Sequence, residues 1–313
     1  MKGLELARKY WEAFGEPMVR EQFPEYTEIV SAALTGAGSE CYGFDDEVSR
    51  DHDFEPGFCL FLPGEDIVDR RTAFLMERAY AKLPDEFEGF RRQRISPVGG
   101  QRHGVLRLEA FFGEKIGCMP EELTEEAWLK LPEEALAEAV NGEVFSDPAG
   151  LLSDQRSILK NMPEDIRRKR LAGHLLMMAQ SGQYNYRRCL KHGETGAAQL
   201  AVCEFAGHTI SAFFLLHHAC APYYKWRFRA MRALEGGEEL ARSLEWLLTT
   251  DNGEGLREDK YFGMEGIAAD MIELLQQQEL TQAVCQDLEK HAYSVNDGIR
   301  NSGIRNLHIL YCV

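Results

Sequence analysis

Two short stretches of the chain carry residue types that can do chemistry together. Gly36, Gly38 and Ser39 form a small-residue turn whose backbone can approach phosphate oxygens closely, and a helix starting beyond it would favour anions. After a polar run comes Ser49-Arg50-Asp51-His52-Asp53-Phe54. In a strand, residues two apart point to the same face, so Asp51 and Asp53 can converge on one divalent cation. Mg²⁺ prefers hard oxygen ligands and is usually held by one or two carboxylates together with phosphates. The pattern is that of a metal-bound nucleotide site. Such a site also needs a group that orients or deprotonates an attacking hydroxyl, and Glu109, on a later strand, is the candidate. Asp45-Asp46-Glu47, between the two stretches, reads as a solvated loop.

The elements that must position these residues follow from hydrophobic spacing. Leu4, Ala7, Trp11 and Phe14 recur at helical intervals, with Gly15 and Pro17 as the stop. Residues 27–35 lead as a strand into the Gly36/Gly38 turn, and Asp53 to Leu62 reads as a buried strand ended by Pro63-Gly64. Residues 65–83 are helical, with Ile67, Phe74, Leu75 and Ala79 on the apolar side. Gly104 to Phe112 reads as a strand on which Arg107 and Glu109 share a face. These elements make a small mixed-sheet module over 1–118. Residues 119–313 then change to helices with charged faces, at about 163–192, 196–219, 222–234, 237–250 and 264–291. The fold class is α+β, an α/β domain followed by an all-α helical bundle. Asn141-Gly142 and Asp147-Pro148 read as punctuation between helices.

Charge and cysteine usage narrow the partners. The formal net charge is -16, from 51 acidic against 35 basic residues, which disfavours a broad phosphate-neutralising surface for nucleic acid. An acidic surface suits a cationic small molecule. Eight scattered cysteines without a C-x-x-C pair favour reduced thiols and a cytoplasmic address, and the charged N-terminus is no signal peptide. The apolar run from Phe205 to Pro222 is interrupted by His208, His217 and His218 and reads as a buried core helix, with no membrane partner. Two polar-aromatic clusters, Tyr184 to Arg188 and Tyr223 to Arg229, stand out in the helical part. In them Tyr184 can stack on a base or sugar and Lys225 can meet a phosphate.

Gly38-Ser39, eleven residues, then Asp51-His52-Asp53-Phe54 resembles the signature of the polymerase-β-type nucleotidyltransferase superfamily. The longer run from Gly38 to Phe54, with Ser181 to Cys189 and Pro222 to Phe228, is similar to a group of bacterial proteins predicted to be nucleotidyltransferases. Their layout, a minimal nucleotidyltransferase domain followed by a helical one, is also that of antibiotic nucleotidyltransferases. The resemblance implies Mg²⁺-dependent transfer of a nucleoside monophosphate, most often AMP from ATP, to a hydroxyl of a small-molecule acceptor, with release of pyrophosphate. It puts Gly38 and Ser39 on the triphosphate, Asp51 and Asp53 on the metal, and Glu109 in place of the third carboxylate. The helical domain would form the other wall of the cleft. His52 departs from the pattern, which usually has an apolar residue there. The alternatives are an AMP-transferase acting on protein hydroxyls and a catalytically weak nucleotide-binding or interaction module. Related helical domains often associate, so a homodimer is an admissible assembly.

Overall fold

Phe58-Cys59-Leu60-Phe61-Leu62 is apolar at every position, the pattern of a strand covered on both faces, and each of these residues is at most 1% exposed. They are found in a computed structural model that describes residues 1–48, 54–92 and 103–313. Burying one such side chain contributes about 1.5–3 kcal/mol, so this strand anchors its surroundings. The chain divides into two compact units, Met1–Leu123 with Ala135–Lys160, and Thr124–Glu134 with Asn161–Val313.

The first unit opens with α1 (Gly3–Tyr10) and α2 (Glu16–Gln22), joined by a π-helical turn over Trp11–Gly15. β1 (Ser31–Leu34), β2 (Cys59–Leu62), α3 (Arg70–Tyr80) and the small hairpin β3 (Glu86–Phe87) and β4 (Phe90–Arg91) follow. β5 (Gly104–Arg107) runs directly into α4 (Leu108–Ile116). Past α5 (Glu125–Lys130), which belongs to the second unit, α6 (Glu133–Val140) brings the chain back to β6 (Glu143–Ser146) and α7 (Leu151–Lys160). The main sheet has the order β5-β2-β1-β6. β1 is antiparallel to β2, with Ala32 opposite Leu60, and to β6, with Ala33 opposite Val144. β2 is parallel to β5, with Leu60 opposite Val105.

Alternation along β2 sends Phe58, Leu60 and Leu62 to a core with Tyr10, Trp11, Met76 and Tyr80. Cys59 and Phe61 point the other way, where Phe61 meets Phe111 of α4 edge-on at 5.1 Å. The α+β class and the strand leading into the glycine turn are observed. The stop expected at Gly15 and Pro17 is not: the helix continues, because Pro17 sits in the first turn of α2, where its missing N–H costs little. Gly15 lies against the core, and a Cβ there would come within 2.4 Å of both Phe58 and Trp11.

Other expectations shift in detail. Ile67, Phe74 and Leu75 are 47%, 54% and 46% exposed, whereas Ala79 is buried as expected, together with Met76 and Tyr80, so the apolar side is rotated from the one the spacing suggests. The strand expected to reach Phe112 ends at Arg107, and Leu108 already opens α4. The expected boundary at 118 gives way to a first unit that also takes in 135–160, because β6 pairs with β1. Asp45 is no solvated residue: it is fully buried, and its carboxylate accepts the Gly3 N–H at 3.0 Å, an anion at the start of α1.

The second unit is helical, with α8 (Glu164–Met178), a π-helical stretch over Ala179–Asn185, α9 (Tyr186–Lys191), α10 (Thr195–Leu216) and α11 (Arg227–Arg232). It closes with α12 (Gly237–Thr249), α13 (Arg257–Gln277), α14 (Leu288–Asp297) and α15 (Ser302–Arg305). The helix expected over 264–291 is two, broken between Gln277 and Leu288. By length and composition α10 could cross a membrane, but 67% of its apolar window is buried within the protein, as in a core helix. Lys169 is 0% exposed, and its ammonium donates to Asn296 Oδ1, Arg305 O and Leu307 O. A buried ammonium without acceptors would cost several kcal/mol, so these three oxygens are what allow it there. None of the eight cysteines forms a disulfide.

The packing at Gly15 yields a test. Gly15→Ala should lower stability by about 1–3 kcal/mol, the usual cost of overpacking, read by denaturant unfolding; a loss within about 0.3 kcal/mol would contradict the close approach.

Candidate functional site

β1 ends at Leu34, and the chain turns away from the sheet through Thr35, Gly36, Ala37 and Gly38. Gly36 has φ +127, a conformation that favours glycine. Its N–H donates to Asn141 Oδ1 at 2.9 Å, and its carbonyl accepts from Asn141 Nδ2 at 2.7 Å. The Thr35 hydroxyl lies 3.0 Å from the same Asn141 oxygen and 3.1 Å from Glu138 O. The turn is therefore built from both sides of the fold: β1 delivers it, and the end of α6 fixes it.

This turn lines a cavity of about 190 Å³ in the first unit. Cys59 and Leu106 contribute from the sheet, Ala110, Phe111, Glu114 and Lys115 from one face of α4, with Glu40 and His103 at its sides. Ala37, Gly38 and Ser39 donate no backbone N–H to another described residue. Glu40 is 9% exposed, and its carboxylate lies directly over Gly38, where a Cβ would come within 1.9 Å of Oε1. A side chain at position 38 would have to displace the Glu40 carboxylate. The Ser39 hydroxyl is 3.5 Å from Glu40 Oε2.

The charges of the cavity are mixed. Lys115, with its side chain 16% exposed, pairs with Glu138 at 2.9 Å and Glu114 at 3.6 Å. His103 Nδ1 lies 3.3 Å from Glu55. Burial pushes the Cys59 thiol up to about 12, which makes it an inert wall rather than a nucleophile. Glu40 and Glu114 disfavour a bare polyanion in the cavity, whereas a polyanion carrying a divalent cation is compatible with them.

Of the residues singled out from the sequence, Gly38 lines the cavity and Ser39 adjoins it. Asp51 and Asp53 lie outside the described residues, and among the described residues no group of three or more His, Cys, Asp or Glu is placed to hold a metal ion. Glu109 is exposed in the first turn of α4, not on a strand, so the strand-position argument for it falls away. Its carboxylate lies near Gly64, 3.4 Å from where a Cβ would stand. Tyr184 and Lys225 belong to the second unit, and neither lines this cavity. Tyr184 is 58% exposed, with the Arg188 guanidinium 4.9 Å from its ring centre; Lys225 is exposed.

Glu40, Lys115, His103 and Asn141 are not among the residues anticipated from the sequence. Glu40 stands within the glycine motif and is readable as part of it. Asn141 carries a signal, the Asn-Gly pair, which by itself indicates only a turn. Lys115 carries none, because a helical lysine faces a cavity only through packing.

The second unit holds a buried ionic cluster of its own. Glu133, 6% exposed, accepts from the Ser211 hydroxyl at 2.9 Å, with His174 Nε2 at 3.4 Å and Arg170 Nη2 at 3.7 Å. His174 Nδ1 and His208 Nδ1 are 2.9 Å apart, so one of the two must accept. Burial acts to raise the Glu133 pKa, but His174, Arg170 and the Ser211 hydroxyl outweigh it and hold the carboxyl at about 2. Burial, helped by His174, presses His208 down to about 4.

Residues 128–227 match a family described as a domain of unknown function, DUF4037. No curated protein matches the chain. Among solved structures, the chain is similar to a nucleotidyltransferase-like protein from Exiguobacterium sibiricum, with 13% identity and a TM-score of 0.37, over 90% of this chain and 80% of that one.

The histidine pair sets a pH dependence. Between its unfolded value of 6.5 and its folded value of about 4, His208 binds a proton in the unfolded chain and refuses it in the folded one. Stability is then fully present above 6.5 and is lost as pH falls toward 4, by an amount on the order of 3 kcal/mol. Glu133 adds a further loss below 4.5. Denaturant unfolding across this range should show the slope, and His208→Gln should flatten it above pH 4.5; an unchanged slope in that variant would contradict the assignment.

Proposed function

We propose that the protein is a nucleotidyltransferase that moves a nucleoside monophosphate, AMP from ATP, onto a hydroxyl of a small molecule. The observation that carries this reading is the fixed turn at the end of β1. It lines a cavity through Ala37 and Gly38, with Ser39 next in the chain and the N–H groups of all three donating to no other described residue, within a chain whose Gly38-Ser39 and Asp51-x-Asp53 spacing resembles the superfamily signature. Backbone N–H groups with no acceptor among the described residues, and a residue 38 lacking a side chain, suit phosphate oxygens. Phosphoryl transfer asks little covalent chemistry of the protein. Positioning and electrostatic stabilisation supply most of the rate.

Asp51 and Asp53 would hold Mg²⁺, which when bound neutralises phosphate charge and aligns the triphosphate. The hard oxygen donors of an Asp-x-Asp pair fit that ion. The Glu40 carboxylate over Gly38 also fits it, since a metal-free triphosphate would meet an uncompensated acid there. In this reading Ala37, Gly38 and Ser39 bind and orient the phosphates. Cys59, Leu106 and Phe111 supply apolar walls that limit water.

One observation favours a second reading, a nucleotide-binding module with little turnover. Glu109, the expected base, stands exposed at the start of α4. The two readings separate in one assay: purified protein with labelled nucleoside triphosphates, Mg²⁺ and pooled metabolites should release pyrophosphate. Asp53→Asn should lower that release at least about 100-fold. Equal release by the variant would refute the transferase reading, and nucleotide-induced thermal stabilisation without release would favour the module.

A further inference from the structure

The Asn141 side chain does for the turn what a strand would do. In a hydrogen-bonded antiparallel pair, two residues exchange both of their N–H···O bonds. β1 and β6 pair as far as Leu34 opposite Glu143, and there the main-chain ladder ends. Two residues further on, the Asn141 carboxamide takes over, accepting the Gly36 N–H at 2.9 Å and donating to the Gly36 carbonyl at 2.7 Å. An amide side chain thus stands in for one more peptide unit. It holds Gly36 at φ +127, and the next three N–H groups donate to no other described residue.

This placement depends on two supports. Gly142, with φ +69, brings its backbone so close to Leu34 that a Cβ would lie 1.8 Å from the Leu34 carbonyl oxygen. Only glycine lets Asn141 reach Gly36 from there. From α7, the Arg156 side chain, 4% exposed, donates to the carbonyls of Val140 and Asn141, capping the end of α6 and fixing the Asn141 backbone. A buried guanidinium whose hydrogen bonds go to the last carbonyls of a helix has a clear use in this role.

We infer that Asn141, held from behind by Arg156, is the positioning residue of the nucleotide turn. It presets the Ala37–Ser39 N–H groups for phosphate before any ligand arrives, so that binding costs little ordering of the loop. The inference rests on the nucleotide reading for its ligand and on the Gly36 hydrogen bonds for its geometry.

The test uses the full chain and two readouts, amide hydrogen exchange at Gly36 and titration with Mg-ATP. Asn141→Ala should speed exchange at Gly36 at least about tenfold, leave Leu60 exchange unchanged, and weaken Mg-ATP binding about tenfold. Asn141→Asp can still accept the Gly36 N–H but sets a second acceptor against the Gly36 carbonyl, so it should keep only part of the exchange protection; unchanged Leu60 exchange in both variants separates loss of these hydrogen bonds from loss of the fold. Arg156→Met should reproduce the Asn141→Ala pattern more weakly. Wild-type protection at Gly36 in Asn141→Ala, or unchanged Mg-ATP affinity in that variant, would overturn the inference. If the wild-type protein binds no Mg-ATP, the nucleotide reading fails by itself, and the Gly36 exchange rate still decides whether Asn141 fixes the turn.

Discussion

The site in the first unit depends on a constraint of backbone satisfaction. A strand that leaves its sheet exposes N–H and C=O groups that need partners, and β1 leaves at the very point where its residues begin to line a cavity. The Asn141 carboxamide meets that need for Gly36, and the Thr35 hydroxyl uses the same oxygen. A segment distant in sequence, 135–160, is for this reason part of the first unit. It supplies the edge strand β6, the amide that pins the turn, the Glu138 partner of Lys115 and the arginine that caps α6. Sheet, turn and cavity are thus one hydrogen-bonded framework around β1 and β2.

Electrostatics then shape what that framework can accept. The turn offers N–H donors, which favour an anion, while Glu40 lies across Gly38 and Glu114 and Glu138 flank Lys115. A ligand that brings both phosphate and a divalent cation satisfies donors and acids together. The second unit solves a different problem: Glu133, Arg170, His174 and His208 share one buried cluster in which a 2.9 Å histidine contact requires one ring nitrogen to accept.

Much of the scaffold is legible in the chain. The unbroken apolar run at 58–62 announces a central strand, the residues before Gly36 a strand leading into a turn, and Leu240, Leu244, Leu247 and Leu248, spaced three to four apart or adjacent on one face, the helix expected over 237–250. The departures have physical reasons. Pro17 reads as a stop, yet proline is tolerated in a first helical turn. Phe74 and Leu75 are exposed because periodicity fixes a face only up to rotation, and Met76 and Tyr80 win the core. Glu109 sits on a helix because a short apolar run does not distinguish a strand from a buried helix. For the site, glycine chemistry is readable locally, whereas Asn141, Lys115 and Arg156 reach it through tertiary packing that no local pattern encodes. Asp51 and Asp53 stand outside the described residues, so their role rests on the sequence alone.

The central claim is that the Ala37–Ser39 backbone receives the phosphates of a metal-bound nucleotide. It is tested most directly by following backbone amide resonances of the wild-type protein while Mg-ATP is added. Saturable shifts and slowed exchange are expected at Ala37, Gly38 and Ser39, dependent on the cation. Saturable binding that leaves those three amides unperturbed, or no binding at all, would contradict it.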